Sequence, residues 1–118
     1  MKPNKKYAIE FKAPMSKSNQ TVIRKKIYKD IARLSYLKEN YDDILNGYFL
    51  MITNEKTYFN PSSKRDNTYD TANNVTANLK AFKVKYILRN DYNFNFCWEN
   101  IENKEVKGKF AWLKHIKV

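Results

Sequence analysis

Residues 6–12 have the sequence KYAIEFK, which predicts the first strand of the fold. Alternate side chains of a β-strand face opposite sides of the sheet. One set here comprises Tyr7, Ile9 and Phe11, and the other comprises Ala8, Glu10 and Lys12. The Ala13-Pro14 pair then ends the strand, because proline has no amide proton to give to a ladder.

A long helix is predicted over residues 19–40, where apolar side chains recur at spacings of three and four. The stripe consists of Ile23, Ile27, Ile31, Leu34 and Leu37. Ser16 or Ser18 is expected to cap the first turn. An uninterrupted apolar run, YFLMI at 48–52, follows Gly47 and is typical of a central strand covered on both faces.

The second half of the chain predicts a polar loop at 54–71, a short helix and then strands. Helical spacing links Ala72, Val75, Leu79 and Phe82, and residues 84–88 then alternate as a strand would. A clearer alternation runs from Tyr92 through Phe94 and Phe96 to Trp98, a one-faced aromatic row that belongs to a core more often than to a base-stacking surface.

The alternation returns in Phe110, Trp112, Ile116 and Val118. We expect this segment and the aromatic row to pair as a C-terminal antiparallel hairpin. The order of elements predicts an α/β or α+β fold in which one long helix packs on a mixed central β-sheet. The 118 residues suffice for a single domain, or for a fragment of a longer one.

The charge of the chain favours an anionic partner. Lys and Arg number 23 against 12 Asp and Glu, which gives a formal net charge of +11. Nucleic acid is the first choice, before an acidic protein or an anionic membrane. The single Cys97 and single His115 exclude an internal disulfide and zinc sites built from several such residues. Two glycines are too few for a phosphate-binding Walker loop.

No apolar stretch of the sequence approaches the roughly 20 residues that span a bilayer. The basic N-terminus lacks the apolar core of a signal peptide. We therefore expect a cytoplasmic protein that has no membrane partner.

Glu10 and Lys12 are the candidate catalytic residues. They lie two positions apart on the predicted strand, so their side chains emerge on the same face. The carboxylate can hold a divalent metal, and the ammonium can stabilise charge or position an attacking water. An ion pair on an exposed strand is the alternative, and Glu102/Lys104 and Glu105/Lys107 repeat the spacing.

The first half of the chain resembles part of the PD-(D/E)XK motif of restriction-endonuclease-like nucleases. The resemblance rests on YAIEFKA at 7–13, a helix that carries DIARL at 30–34, and GYFLMI at 47–52. It implies a restriction-endonuclease-like fold in which Glu10 is the metal-binding acid, Lys12 the catalytic lysine and Mg²⁺ the cofactor. The family places another metal-binding aspartate on an earlier strand, whereas none of the nine residues before Glu10 is acidic.

Three explanations for this difference stay open. The chain is a fragment, another residue or a complementary subunit supplies the acid, or the fold persists without catalysis. Asp30 is the best candidate inside the chain. It lies three residues before Arg33 and next to apolar Ile31, so an ion pair with a lysine or arginine is favoured over a metal ligand.

Basic residues along one flank of the helix form the candidate nucleic-acid surface: Arg24, Lys25, Lys26, Lys29 and Arg33. Such a stripe neutralises several phosphates and gives salt-dependent, sequence-independent affinity. Lys64 and Arg65, in the predicted loop, are further candidate phosphate contacts.

These patterns predict a nucleic-acid-binding, nuclease-like domain: a metal-dependent DNA endonuclease, or a subunit or fragment of one. DNA is the expected ligand and RNA the second choice. The alternative is a small non-enzymatic basic protein of phage or mobile-element type that binds nucleic acid or an acidic protein. A homodimer would fit either hypothesis, because the sheet edges of a short chain are hard to cover.

Overall fold

The computed structural model describes residues 5–15, 19–61, 69–79, 86–90, 92–101 and 110–118. The first half contains β1 (Lys6–Lys12), α1 (Gln20–Asn40), β2 (Ile44–Thr53) and a short 3₁₀ helix (Lys56–Tyr58). The second half contains β3 (Thr76–Asn78), β4 (Asn93–Asn95), β5 (Trp98–Ile101) and β6 (Phe110–Lys117).

The strands form two sheets. The larger has the order β1-β2-β6-β5, and β3 pairs with β4 in the smaller. β1 and β2 run parallel and the other pairs are antiparallel, so the larger sheet is mixed, as the order of elements predicts. Within the described residues, no helix combines the length and the apolar composition needed to cross a bilayer.

The strand–helix–strand unit of the first half is confirmed. β1 has the predicted bounds, and α1 begins within one residue of its predicted start. The helix is capped by Asn19, whose side chain accepts a hydrogen bond from the backbone amide of Val22, and not by the predicted Ser16 or Ser18, which lie outside the described residues.

The helix packs closely on β2 because Gly47 has no side chain. A Cβ atom at Gly47 would lie 3.1 Å from the Cβ of Leu34, tighter than ordinary van der Waals contact. The glycine that precedes the apolar run thus has a packing role: it lets α1 approach the sheet.

β2 occupies the central position that its apolar run predicts, between β1 and β6. The prediction that it is covered on both faces is wrong. Phe49 and Met51 are buried beneath α1, whereas Tyr48, Leu50 and Ile52 are only half-buried on the other face. The cause is that α1 and the β3–β4 ribbon pack on one face, and no element in the described part of the chain covers the opposite one.

The helix predicted from Ala72 onward is wrong for the residues that the structure describes, and Phe82 lies outside them. Residues 76–78 form β3 instead. The backbone amide of Asn74 donates to Phe96, and the carbonyl of Val75 accepts from Phe96, so these groups bond across the chain and not along a helix. Of the strand predicted at 84–88, residues 86–88 do not form a strand, and residues 84 and 85 lie outside the described part of the chain.

The aromatic row is divided between the two sheets, since β4 ends at Asn95 and β5 begins at Trp98. Phe94 and Phe96 are buried, in agreement with the prediction that the row belongs to the core. The predicted hairpin is confirmed only from Trp98 onward, where β5 pairs antiparallel with β6.

A bulge in β6 changes the face to which its side chains point. Phe49 lies opposite Ile116 and Met51 lies opposite Leu113, so Lys114 and His115 together face the single residue Leu50. Trp112 is consequently exposed while Ile116 is buried, although the sequence pattern places both on one face.

Candidate functional site

Four charged side chains meet where β1 packs against α1: Glu10, Lys12, Asp30 and Arg33, hereafter the charge cluster. Glu10 and Lys12 point toward the helix because they occupy alternate positions of β1. Asp30 and Arg33 share one face of α1 because residues three apart on a helix are neighbours. The structure therefore brings together all of the predicted catalytic and metal-binding residues.

Arg33 connects the two acids of the charge cluster. Its Nη2 atom donates to Oε1 of Glu10 and also to Oδ1 of Asp30, the latter at 3.0 Å. The other carboxylate oxygen of Asp30, Oδ2, lies 2.9 Å from Nζ of Lys12. The ion pair predicted for Asp30 is thus present, with a lysine and an arginine together.

The charge cluster lies at the edge of the core, with one side open to solvent. The Asp30 side chain is 9% exposed, whereas those of Glu10 and Arg33 are 30% and 40% exposed. Burial opposes the charge of Arg33, but the hydrogen bond and charge of Glu10, with Asp30, outweigh it and raise the pKa of the guanidinium above its usual value. Arg33 is therefore held as a cation between the two carboxylates.

The carboxylates of the charge cluster are donors of the type that a divalent cation takes, and Arg33 holds them near each other. Two oxygens, one from Glu10 and one from Asp30, lie within hydrogen-bonding distance of the same nitrogen of Arg33, hence within about 6 Å of each other. Carboxylate oxygens are the ligands that Mg²⁺ prefers, and one or two of them commonly suffice when substrate phosphates complete the shell. The described residues include no group of three or more potential metal ligands.

The basic flank of α1 is smaller than the sequence suggests. Arg24 is only 7% exposed, so the prediction that it belongs to the exposed flank is wrong. Burial raises the pKa of the Tyr58 hydroxyl, and the positive charge of Arg24 partly opposes this increase. Lys25 and Lys26 are exposed, and Lys29 is half-buried. Lys26 and Lys29 lie one helical turn before Asp30 and Arg33. Lys64 and Arg65 lie outside the described residues.

The outer face of the large sheet is a surface that the sequence interpretation missed. We use this name for the solvent-facing side chains of three strands: Tyr7, Ile9, Phe11, Tyr48, Leu50, Ile52 and Trp112. Alternation alone does not say which set of side chains faces solvent. Asp30 and Arg33 were the signal that could have decided this. Charged side chains on the packed side of α1 require polar partners, which β1 offers only on the face of Glu10 and Lys12, so the apolar set must face solvent.

No protein-family model matches the chain, and neither the curated proteins nor the solved structures include a match.

Proposed function

We propose that this chain is a nuclease-like domain that binds DNA and cleaves its phosphodiester bonds at the charge cluster with the help of Mg²⁺. One observation carries the proposal: the carboxylates of Glu10 and Asp30 converge on a single cation position, next to the ammonium of Lys12. A carboxylate pair can hold a metal ion that assists phosphodiester hydrolysis, and a neighbouring lysine can stabilise the negative charge that develops on the phosphate.

Glu10 and Asp30 are the residues that would hold the metal ion. The chemistry that Mg²⁺ supplies in such a site is polarisation of a phosphoryl oxygen and activation of water. In this structure the guanidinium of Arg33 occupies the cation position between the two carboxylates. Its side chain is partly exposed, so it can swing into solvent when the carboxylates bind another cation.

Lys12 and the basic flank would handle the charge of the substrate. Lys12 lies against the carboxylate of Asp30, where its ammonium can stabilise a phosphate that approaches the acids. The exposed Lys25 and Lys26 extend positive charge from the site toward the helix N-terminus, which itself favours anions. A nucleic-acid backbone can follow this line of charge.

A specific observation favours the non-enzymatic alternative. The charge cluster contains two acids and two bases in mutual contact, so its formal charge sums to zero. In this second hypothesis the cluster only fastens β1 to α1, and the domain binds nucleic acid through its basic surface.

Cleavage of duplex and single-stranded DNA with Mg²⁺ or Mn²⁺ separates the two functions. The wild type is compared with Glu10→Gln and Lys12→Met, and with Asp42→Asn as a control in the exposed turn after α1. The proposal expects cleavage by the wild type and the control, with a loss of at least a hundredfold in the other two. Absence of metal-dependent cleavage by the folded wild type, or full activity of Glu10→Gln, overturns it.

The response of Arg33 to metal gives a second readout that does not depend on turnover. If Arg33 occupies the metal position, Arg33→Met removes a competitor, and Mn²⁺ should raise the melting temperature of this variant more than that of the wild type. Equal or absent shifts in both proteins favour a purely structural cluster.

A further inference from the structure

The outer face exposes large apolar side chains that soluble proteins usually bury. Tyr7, Ile9 and Phe11 of β1 are 55%, 63% and 60% exposed, and Trp112 of β6 is 38% exposed. Strand pairing makes the surface continuous, because Ile9 lies beside Tyr48. A contiguous exposed apolar surface of this kind is typical of an interaction site.

Aromatic rings cross the sheet at one end of the outer face. The ring centroids of Tyr7 and Tyr48 are 6.2 Å apart, and those of Tyr48 and His115 are 5.9 Å apart. These three rings come from three neighbouring strands, β1, β2 and β6. Rings displayed side by side on a sheet form the platform on which proteins stack unpaired bases.

Positive charge borders the aromatic end of the outer face. Lys117 is paired with Tyr48 across the β2–β6 ladder, and Lys114 lies in the exposed bulge beside His115. Glu99, opposite Trp112 on β5, provides negative charge at the other end. The platform therefore has a basic end, where phosphates can be neutralised next to exposed rings.

We propose that single-stranded nucleic acid docks on the outer face, with bases stacked on Tyr7 and neighbouring rings and with phosphates held by Lys114 and Lys117. Charge complementarity favours single-stranded nucleic acid over a second copy of the chain as the occupant of the outer face. A second copy of the chain would bring another formal charge of +11 against the same surface, whereas a polyanion is attracted to it. The aliphatic Ile9, Leu50 and Ile52 provide apolar contact for sugars and base faces between the rings.

The outer face is independent of the proposed cleavage site. Glu10 and Lys12 point toward α1, and Tyr7, Ile9 and Phe11 point away from it, so the two surfaces lie on opposite sides of β1. Binding to the outer face requires neither metal nor the charge cluster. Its test can therefore fail or succeed separately from the nuclease proposal.

The test is binding of a fluorescently labelled oligothymidylate to the full chain in the presence of a chelator, which excludes metal-dependent cleavage. Tyr7→Ala/Phe11→Ala removes two exposed rings, and Tyr41→Ala/Ile87→Ala removes two apolar side chains that are exposed elsewhere. We expect at least a tenfold loss of affinity in the first variant, because it removes two rings on which bases would stack, and less than a twofold change in the second. Equal affinities of the two variants overturn the proposal.

Tryptophan fluorescence distinguishes stacking from general attraction. Quenching by an oligonucleotide long enough to extend from the basic end to Trp112 should disappear in Trp112→Phe, whose ring lies on the outer face, and persist in Trp98→Phe, whose ring packs on Phe59 at 5.7 Å. Circular dichroism confirms that each variant is folded. Self-association that is lost in Tyr7→Ala/Phe11→Ala, without oligonucleotide binding by the wild type, identifies an interface between copies and overturns the proposal.

Discussion

The ammonium of Lys12 and the carboxylate of Asp30 lie 2.9 Å apart and fasten the first strand to the long helix. Asp30 is almost fully buried and also accepts a hydrogen bond from Arg33. Replacing it by asparagine leaves two cations without their shared anion. We expect Asp30→Asn to lower the free energy of unfolding by about 2 kcal/mol, measured by urea denaturation.

Asp43→Asn is the matched control for this change. Asp43 also pairs with a lysine of β1, Lys6, at 3.4 Å, but both side chains are well exposed to solvent. Exposed pairs contribute little, so its loss should cost less than about 0.5 kcal/mol. Equal destabilisation by the two substitutions would contradict a structural role for the charge cluster.

A methyl group at Gly47 should destabilise the fold although it stiffens the unfolded chain. Alanine in a strand normally increases the free energy of unfolding by about 0.5–1 kcal/mol relative to glycine, because the unfolded chain has less backbone entropy. Here the new Cβ would lie 3.1 Å from the Cβ of Leu34, an atom that cannot move without the helix. We expect a net loss of about 1–2 kcal/mol from such overpacking, by thermal or urea unfolding. A Gly47→Ala protein as stable as the wild type would show that α1 can shift freely on β2.

The first half of the fold could be predicted because its patterns are long and local. Five apolar residues at helical spacing, from Ile23 to Leu37, define α1, and the alternation of 6–12 defines β1. Each pattern extends over enough residues to outweigh the secondary-structure preferences of single residues.

The second half could not be predicted because two short irregularities change its pattern. The chain leaves one sheet after Asn95 and enters another at Trp98, while the alternation of aromatic residues continues without interruption. The bulge at Lys114 and His115 likewise reverses the face of every later residue in β6. Neither irregularity contains a glycine or a proline, the residues from which a break in a strand can be predicted.

The site was predictable residue by residue but not as a network. Period-two spacing places Glu10 and Lys12 on one face, and three-residue spacing places Asp30 near Arg33. Arg33 contacts both acids only because α1 has a particular rotation relative to β1. Packing of the whole core determines that rotation, and no local pattern in the sequence encodes it.

Glu39, at the end of α1, should make stability depend on pH. Its carboxylate accepts hydrogen bonds from the backbone amide of Arg89 at 2.6 Å and from the hydroxyl of Tyr92 at 2.7 Å. Burial works against its ionisation, but these bonds and that of the Asn90 amide outweigh it and lower the pKa of Glu39. The stabilisation is complete above the ordinary carboxyl pKa of 4.5 and is lost as the pH falls through the lower folded value.

We therefore expect Glu39→Gln to cost about 1–3 kcal/mol near neutral pH, because hydrogen bonds to a charged acceptor are lost. The difference from the wild type should shrink as the pH falls below 4.5. Urea denaturation across this range measures both effects. Glu99→Gln, at an exposed position of β5, is the control and should show neither. A Glu39→Gln deficit that is constant with pH contradicts the role of the charge.

The basic flank of α1 should set the salt dependence of DNA binding. The exposed Lys25 and Lys26 can each neutralise one phosphate, and each released counterion steepens the fall of affinity with salt. In Lys25→Ala/Lys26→Ala, the slope of log affinity against log salt concentration should decrease in magnitude by about 2 on duplex DNA, measured by fluorescence anisotropy. Lys38→Ala/Lys56→Ala makes the same change in net charge at exposed positions away from the flank and should leave the slope unchanged. If the two double variants have the same slope, only net charge matters, and the flank is not the DNA-binding surface.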